Sequence, residues 1–253
     1  MRAPLARRLL AEFLGSAFLA ALVIGSGIAA QNLSHDVGLE LLENAAATAA
    51  GLFAIILMFG PVSGGHFNPV VSLVDASFGG LAWRDALAYI PTQVAGCITG
   101  AIAANGMFAL TAVSISTHHR ASPAHLFAEI VATLGLLLVI FALARTGRAT
   151  SAPAAVGAYI GAAYWFTSST SFANPAISVG RMFSDTFAGI APASVPAFVV
   201  AQVVGGIAAL AVIRGLYPDV TPAVAADVVL PHDGSHVDPA FAAAQTRAAV
   251  RPE

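Results

Sequence analysis

Six apolar stretches, each close to the length that crosses a bilayer, decide what this chain can fold into. They cover roughly 9–30, 39–60, 86–108, 126–144, 152–168 and 195–216, against a requirement of about 20 apolar residues per span. Lipid admits only backbones that satisfy their own polar groups, which for runs of this length means helices. Hydrophobic residues make up 58% of the chain and charged residues 9%, where a soluble domain carries about 25% charged. The expected fold is an all-α integral membrane protein. The first stretch has a basic start like a secretory signal, but its apolar part is long enough to span and no Ala-x-Ala-like site ends it, so it reads as a retained helix.

Two boxes interrupt this pattern. Gly64–Leu73 reads GGHFNPVVSL and holds Asn68-Pro69-Val70; Ser171–Arg181 reads SFANPAISVGR and holds Asn174-Pro175-Ala176. Asn is among the best N-cap residues and Pro suits the first helical position, so each box starts a helix. Turn signals near Gly79-Gly80 and Asp185 end those helices, at about 68–78 and 174–184, before they could cross. They read as half-helices whose positive N-terminal ends lie at membrane depth.

The chain also repeats itself weakly. Leu10-Ala11-Glu12-Phe13 in the first span answers Phe127-Ala128-Glu129-Ile130 in the fourth, and Gln93-Val94-Ala95-Gly96 answers Gln202-Val203-Val204-Gly205. Three spans per half reverse the direction of entry, which predicts an inverted 3+3 repeat, about 7–108 and 124–217, with the site at the midplane between halves. Arg2, Arg7, Arg8, Arg84, Arg145, Arg148 and Arg214 fall on one side and Arg120 and Arg181 on the other, which places both termini in the cytoplasm. Gly96-x3-Gly100 and Gly157-x3-Gly161 are small-residue faces for close helix packing.

Other classes find little support. A net charge of −2 argues against nucleic-acid binding, and the one cysteine, Cys97, forms no intrachain disulfide. No nucleophile–base pair, phosphate loop, metal cluster or cofactor motif points to an enzyme. Residues 1–217 read as the membrane domain and 218–253 as a disordered cytoplasmic tail. His232, His236, Asp233 and Asp238 in that tail read as solvated rather than metal-binding, because two His with flexible carboxylates rarely close a site.

Paired Asn-Pro-Ala-like boxes, the matched Ala-Glu and Gln residues and His66 before the first box resemble the aquaporin, or major intrinsic protein, family over about 7–216. The resemblance implies a homotetramer in a prokaryotic inner membrane, with a pore through each subunit for water or small neutral solutes. Asn68 and Asn174 would offer amide donors to a passing oxygen while the helix N-termini repel cations. It implies that Glu12 and Glu129 accept backbone N–H groups beside the half-helices, braced by Gln93 and Gln202, and that His66 lines the pore. A proton-coupled carboxylate, and hence a secondary transporter, is the competing reading of Glu12 and Glu129; a poorly conducting scaffold is another.

The chain departs from the family pattern in two places. Val70 stands where Ala is usual, and Ile177 stands three residues after the second Asn, where the family's filter commonly has Arg. Arg181 follows one turn later and reads as a displaced filter residue or as a side chain snorkelling to the interface. Offsets from the boxes give a filter of Thr48, Ala162, Ser171 and Ile177, without aromatic or charge, and so wide. A slip of one or two residues would return Phe172, Tyr164 or Trp165 to the ring. Such a filter looks like those of aquaglyceroporin-like prokaryotic members, including those associated with arsenic resistance, and points to glycerol-like polyols, with uncharged arsenite as a further candidate.

Overall fold

The computed structural model describes residues 3–217; the tail assigned to 218–253, with its His and Asp residues, lies outside them. The described residues form eight helices and three short 3-10 turns: α1 (Leu5–Leu33), α2 (Val37–Ser63), α3 (Pro69–Phe78), α4 (Trp83–Met107), α5 (Pro123–Arg145), α6 (Ala152–Phe166), α7 (Pro175–Gly180) and α8 (Val195–Leu216). Five are long and apolar enough to cross a membrane. The remaining expected span, 152–168, is α6, which has 15 residues, ends at Phe166 and is preceded by the 3-10 turn Ala149–Ser151. At 1.5 Å per residue α3 is about 15 Å long, half the hydrocarbon thickness. Helix α7 is shorter still and passes into the 3-10 turn Arg181–Phe183.

Local chemistry explains these limits. Asp36 caps α2 by accepting from the Leu39 N–H, and Gly64 ends it in the left-handed region at φ 93°. That turn delivers the chain to the first box. Gly79, at φ 83°, closes α3 in the same way.

Side-chain ties define two faces. At the face holding both ends of the described chain, Arg8 pairs with Asp85 at 2.6 Å, tying the starts of α1 and α4. There also the Arg145 guanidinium, from the end of α5, lies 4.2 Å over Phe78 at the end of α3. At the opposite face the α4–α5 connection runs alongside the segment after α7: the Ser116 N–H donates to Met182 O at 2.9 Å and the Ala191 N–H to His118 O at 2.8 Å.

Glycine sets the helix spacing. A Cβ at Gly100 would collide with the Ala17 carbonyl, and one at Gly157 would lie 2.6 Å from Ala49 O. So α4 approaches α1, and α6 approaches α2, at backbone distance.

Candidate functional site

The two boxes meet. Asn68 caps α3 through Oδ1, which accepts from the Val70 N–H at 3.0 Å. Asn174 caps α7 through Oδ1, which accepts from the N–H groups of Ala176 at 2.9 Å and Ile177 at 3.3 Å. Each amide then reaches into the other half: Asn68 Nδ2 donates to Ala173 O and Asn174 Nδ2 to Phe67 O, both at 2.7 Å. One N–H of each amide is therefore spent on the partner box, and one is left for the lumen. The receiving carbonyls belong to the residues before each Asn, which sit in the left-handed region at φ 48° for Phe67 and 47° for Ala173. That conformation costs about 1–3 kcal/mol at a non-glycine residue, and it is what the surrounding bonds must hold in place.

Glu12 and Glu129, both fully buried, do the holding. Glu12 accepts from the N–H groups of His66 at 3.1 Å and Phe67 at 2.7 Å, from Ser63 Oγ at 2.6 Å and from Gln93 Nε2 at 2.7 Å. Glu129 accepts from the N–H groups of Phe172 at 2.9 Å and Ala173 at 2.8 Å and from Gln202 Nε2 at 2.6 Å. The glutamines also donate to matching hydroxyls, Gln93 to Ser72 at 3.0 Å and Gln202 to Ser178 at 2.9 Å. The two halves thus repeat one network of two backbone N–H groups, a Gln and a Ser, to which the first half adds the Ser63 hydroxyl on Glu12.

A single cavity runs past both Asn side chains, from His66 and Ile56 at one end to Thr48, Tyr164 and Arg181 at the other. Its walls are otherwise apolar: Leu19 and Val23 from α1, Leu136 and Ile140 from α5, and Val156 and Ile160 from α6. Sequence reasoning missed these wall residues. The signal was present, since Leu19 and Leu136 follow Glu12 and Glu129 at the same offset on the same helix face. His66 is fixed by Ser72 Oγ, 3.0 Å from Nδ1, by Asp75 Oδ2, 3.5 Å from Nε2, and by an edge-on contact with Tyr89.

The far end differs from the expected ring. Thr48, Ser171 and Ile177 line the cavity, but Ala162 does not; it is exposed on the outer side of α6. Tyr164, two residues on, takes that place on the inward face with Val156 and Ile160, and its hydroxyl shares a hydrogen bond with Thr48 Oγ1 at 3.3 Å. Phe172 also lines this end, and so does Arg181, which is 2% exposed, donates from Nε to Ala188 O and lies 3.5 Å over the Phe172 ring. The ring therefore carries both aromatics and a charge, and the expectation of a wide filter lacking both is corrected. Arg181 does not snorkel outward. Val70 lies outside the cavity lining and fits against Gly206 of α8, where a Cβ would lie 2.5 Å from its Cγ1.

Residues 1–180, which include both Asn-Pro motifs, match the family model described as Major intrinsic protein. The chain belongs to the major intrinsic protein family. It is 47% identical over 220 residues to aquaglyceroporin AqpS of Rhizobium meliloti (strain 1021), covering 87% of this chain and 94% of that protein. It is 30% identical over 165 residues to human aquaporin-9, covering 56% of this chain and 55% of that one. The X-ray structure of the aquaglyceroporin from Plasmodium falciparum has the same fold, with a TM-score of 0.64 at 20% identity over 87% of this chain and 99% of that one. Membership in this family makes the chain a multi-pass membrane channel rather than an enzyme.

Proposed function

We propose that this member of the family is a passive pore for water and small neutral solutes of glycerol size. The observation that supports it is the cavity, in which two Asn amides, the Thr48, Tyr164 and Ser171 hydroxyls and one guanidinium stand along otherwise apolar walls. A solute with hydroxyl groups on a carbon backbone finds both hydrogen-bond partners and apolar contact along this path. The N-termini of α3 and α7 add roughly half a positive charge each, which an ion feels and a neutral solute does not.

In this reading Asn68-Pro69-Val70 and Asn174-Pro175-Ala176 form the central constriction. Glu12, Glu129, Gln93 and Gln202 brace it, and His66 lines the approach. Thr48, Tyr164, Ser171, Ile177 and Arg181 form the filter. The transporter reading needs a carboxylate free to exchange protons, whereas Glu12 and Glu129 are both engaged by backbone N–H groups. The bias of Arg residues puts the face with the chain ends in the cytoplasm and the Arg181 end outside, in a prokaryotic inner membrane. The channel is assigned to residues 1–217. Exposed apolar side chains such as Phe18, Leu57, Trp165 and Ile207 suit lipid and the neighbouring subunits of a homotetramer. The name aquaglyceroporin carried by the relative that is 47% identical supports polyols as the solutes; arsenite, an uncharged trihydroxide of similar shape, is a second solute to test.

Stopped-flow swelling of proteoliposomes in glycerol, urea and arsenite tests this. Glycerol entry down its gradient and indifference to an imposed pH gradient are expected. Water movement alone would overturn the polyol reading, and uphill solute movement driven by pH would overturn the passive one.

A further inference from the structure

We propose that the face holding both ends of the described chain carries a site for an anionic phospholipid, with Arg145 and Arg214 on the phosphate and an acyl chain along α8. Such a site needs only a chain embedded in a membrane, whichever solute passes through it.

Arg145 closes α5. Its guanidinium lies 4.2 Å from the centroid of the Phe78 ring and 5.6 Å from that of Phe141, and the two rings pack on each other with centroids 5.2 Å apart. The rings hold the group but satisfy none of its N–H groups. All three nitrogens are buried and have no hydrogen-bond partner, a state that costs a charged group more than the roughly 1–3 kcal/mol it costs a neutral one. No carboxylate stands within ion-pair distance of it among the described residues. Asp75 attracts it only from farther away, and Asp85 is spent on Arg8. Arg214, in the last turn of α8, approaches the same Phe78 ring to 5.7 Å. Two positive charges therefore converge where α3, α5 and α8 end. The helix C-termini favour a cation there, but that attraction leaves the Arg145 nitrogens without an acceptor.

Helix α8 supplies the apolar part of the site. Val200, Val204, Ile207 and Ala211 are exposed, and with Arg214 they recur at i, i+4, i+7, i+11 and i+14, one stripe along the helix. That stripe is about 21 Å long, more than the half-bilayer of about 15 Å that one acyl chain occupies. A chain lying on it brings its headgroup to Arg214 at the membrane surface, beside Arg145. Arginine suits this place, since its stem rests on apolar surface while its charged end reaches the headgroup layer. Guanidinium N–H groups match phosphate oxygens in pairs, and two such charges favour a lipid of net negative charge over a zwitterionic one.

The test is native mass spectrometry of the full chain in detergent, titrated with phosphatidylglycerol, phosphatidylcholine or inorganic phosphate. Phosphatidylglycerol should bind at least about fivefold more tightly than phosphatidylcholine, which carries the same phosphate without net charge. Arg145→Gln and Arg214→Gln should each weaken phosphatidylglycerol about fivefold, the scale of one basic residue at a membrane surface. Arg7→Gln removes an exposed charge near the start of α1 and should stay within about twofold of wild type. Equal binding of the two lipids overturns the site. Displacement of the lipid by inorganic phosphate at the same concentration assigns these arginines to a soluble anion and overturns the lipid. A loss in Arg7→Gln equal to that in Arg145→Gln reduces the effect to general surface charge and overturns it too. Ile207→Asn should weaken both lipids alike; no change there overturns the placement of the acyl chain. Arg214 is exposed, so Arg214→Gln decides the matter even if Arg145→Gln does not fold.

Discussion

Asn174 Nδ2 donates to the carbonyl of Phe67 at 2.7 Å, across 107 positions of sequence, and Asn68 returns the bond to Ala173. The bonds are reciprocal, so each Asn both caps its own half-helix and locks the opposite half. Asn68→Ala and Asn174→Ala should each cost about 1–2 kcal/mol through the lost cap alone. Because each substitution cuts one of two parallel ties, the double variant should not be additive. Thermal stability in detergent measures the cost, and glycerol-driven swelling should fall in both single variants. Asn174→Asp keeps the cap oxygen and removes the donor, so stability should hold better than in Asn174→Ala while glycerol flux still falls.

The buried glutamates permit a sharper distinction. Glu129→Gln replaces an acceptor with an NH2 group facing the N–H groups of Phe172 or Ala173, both within 2.9 Å of the carboxylate. The expected loss is about 1–3 kcal/mol of stability, seen as a lower melting temperature and poorer yield, and Glu12→Gln should behave likewise. The channel that does reconstitute should still show no coupling to a pH gradient. A variant of normal stability that lost a proton-driven flux would restore the transporter reading.

Much of this is legible in the sequence. Apolar runs give six of the eight helices their approximate bounds and the Asn-Pro boxes start the other two, and the doubled Ala-Glu and Gln positions point to the braces because both halves need the same backbone groups satisfied. The filter was read less well, for a physical reason. Counting back from Asn174 assumes a loop of standard length, whereas the left-handed residues Thr170 and Ser171 change how the chain enters the box, and the inward position shifts from Ala162 to Tyr164. Helix phase held the better clue: Val156, Ile160 and Tyr164 recur at i, i+4, i+8, while Gly157 and Gly161 face α2. The contact of Val70 with Gly206 joins the two halves in space, and no local pattern could reveal it.

That contact predicts a compensating pair. Gly206→Ala places a Cβ 2.5 Å from Val70 Cγ1, an overpacking that should cost about 1–3 kcal/mol. Val70→Ala removes that methyl and should recover most of the loss in the double variant, read as the melting temperature of purified channel. Equal melting temperatures for Gly206→Ala and the double variant would show that Val70 is not what Gly206 accommodates.

Outside the membrane, Asp185 ties the two connections at the outer face. The Thr117 N–H donates to Asp185 Oδ1 at 2.8 Å and holds this carboxyl below its usual range, with His118 nearby adding to the effect. A depressed folded value means the tie is fully present above the ordinary carboxylate pKa of about 3.9 and is lost as pH falls through the lower folded value. Hydrogen exchange at the Thr117 amide should show steady protection from pH 7 to about 5 and loss only below about 4. Asp185→Asn should reduce protection across the whole range; protection that is unaltered in that variant would mean the carboxylate does not hold the amide.

Ile177 is the position at which a second guanidinium would most change the filter. It lines the cavity beside Ser171 and Tyr164, one turn before Arg181. Ile177→Arg adds bulk where Tyr164 already reaches Thr48, and a like charge near Arg181, so the ring should narrow. Glycerol flux should drop about tenfold, equivalent to about 1.4 kcal/mol on the barrier, while water flux, which needs less room, should fall less. Tyr164→Ala opens the same ring from the α6 side and should admit larger polyols, with the glycerol-to-water ratio rising. If Ile177→Arg leaves glycerol flux intact, position 177 does not face the path that solutes take.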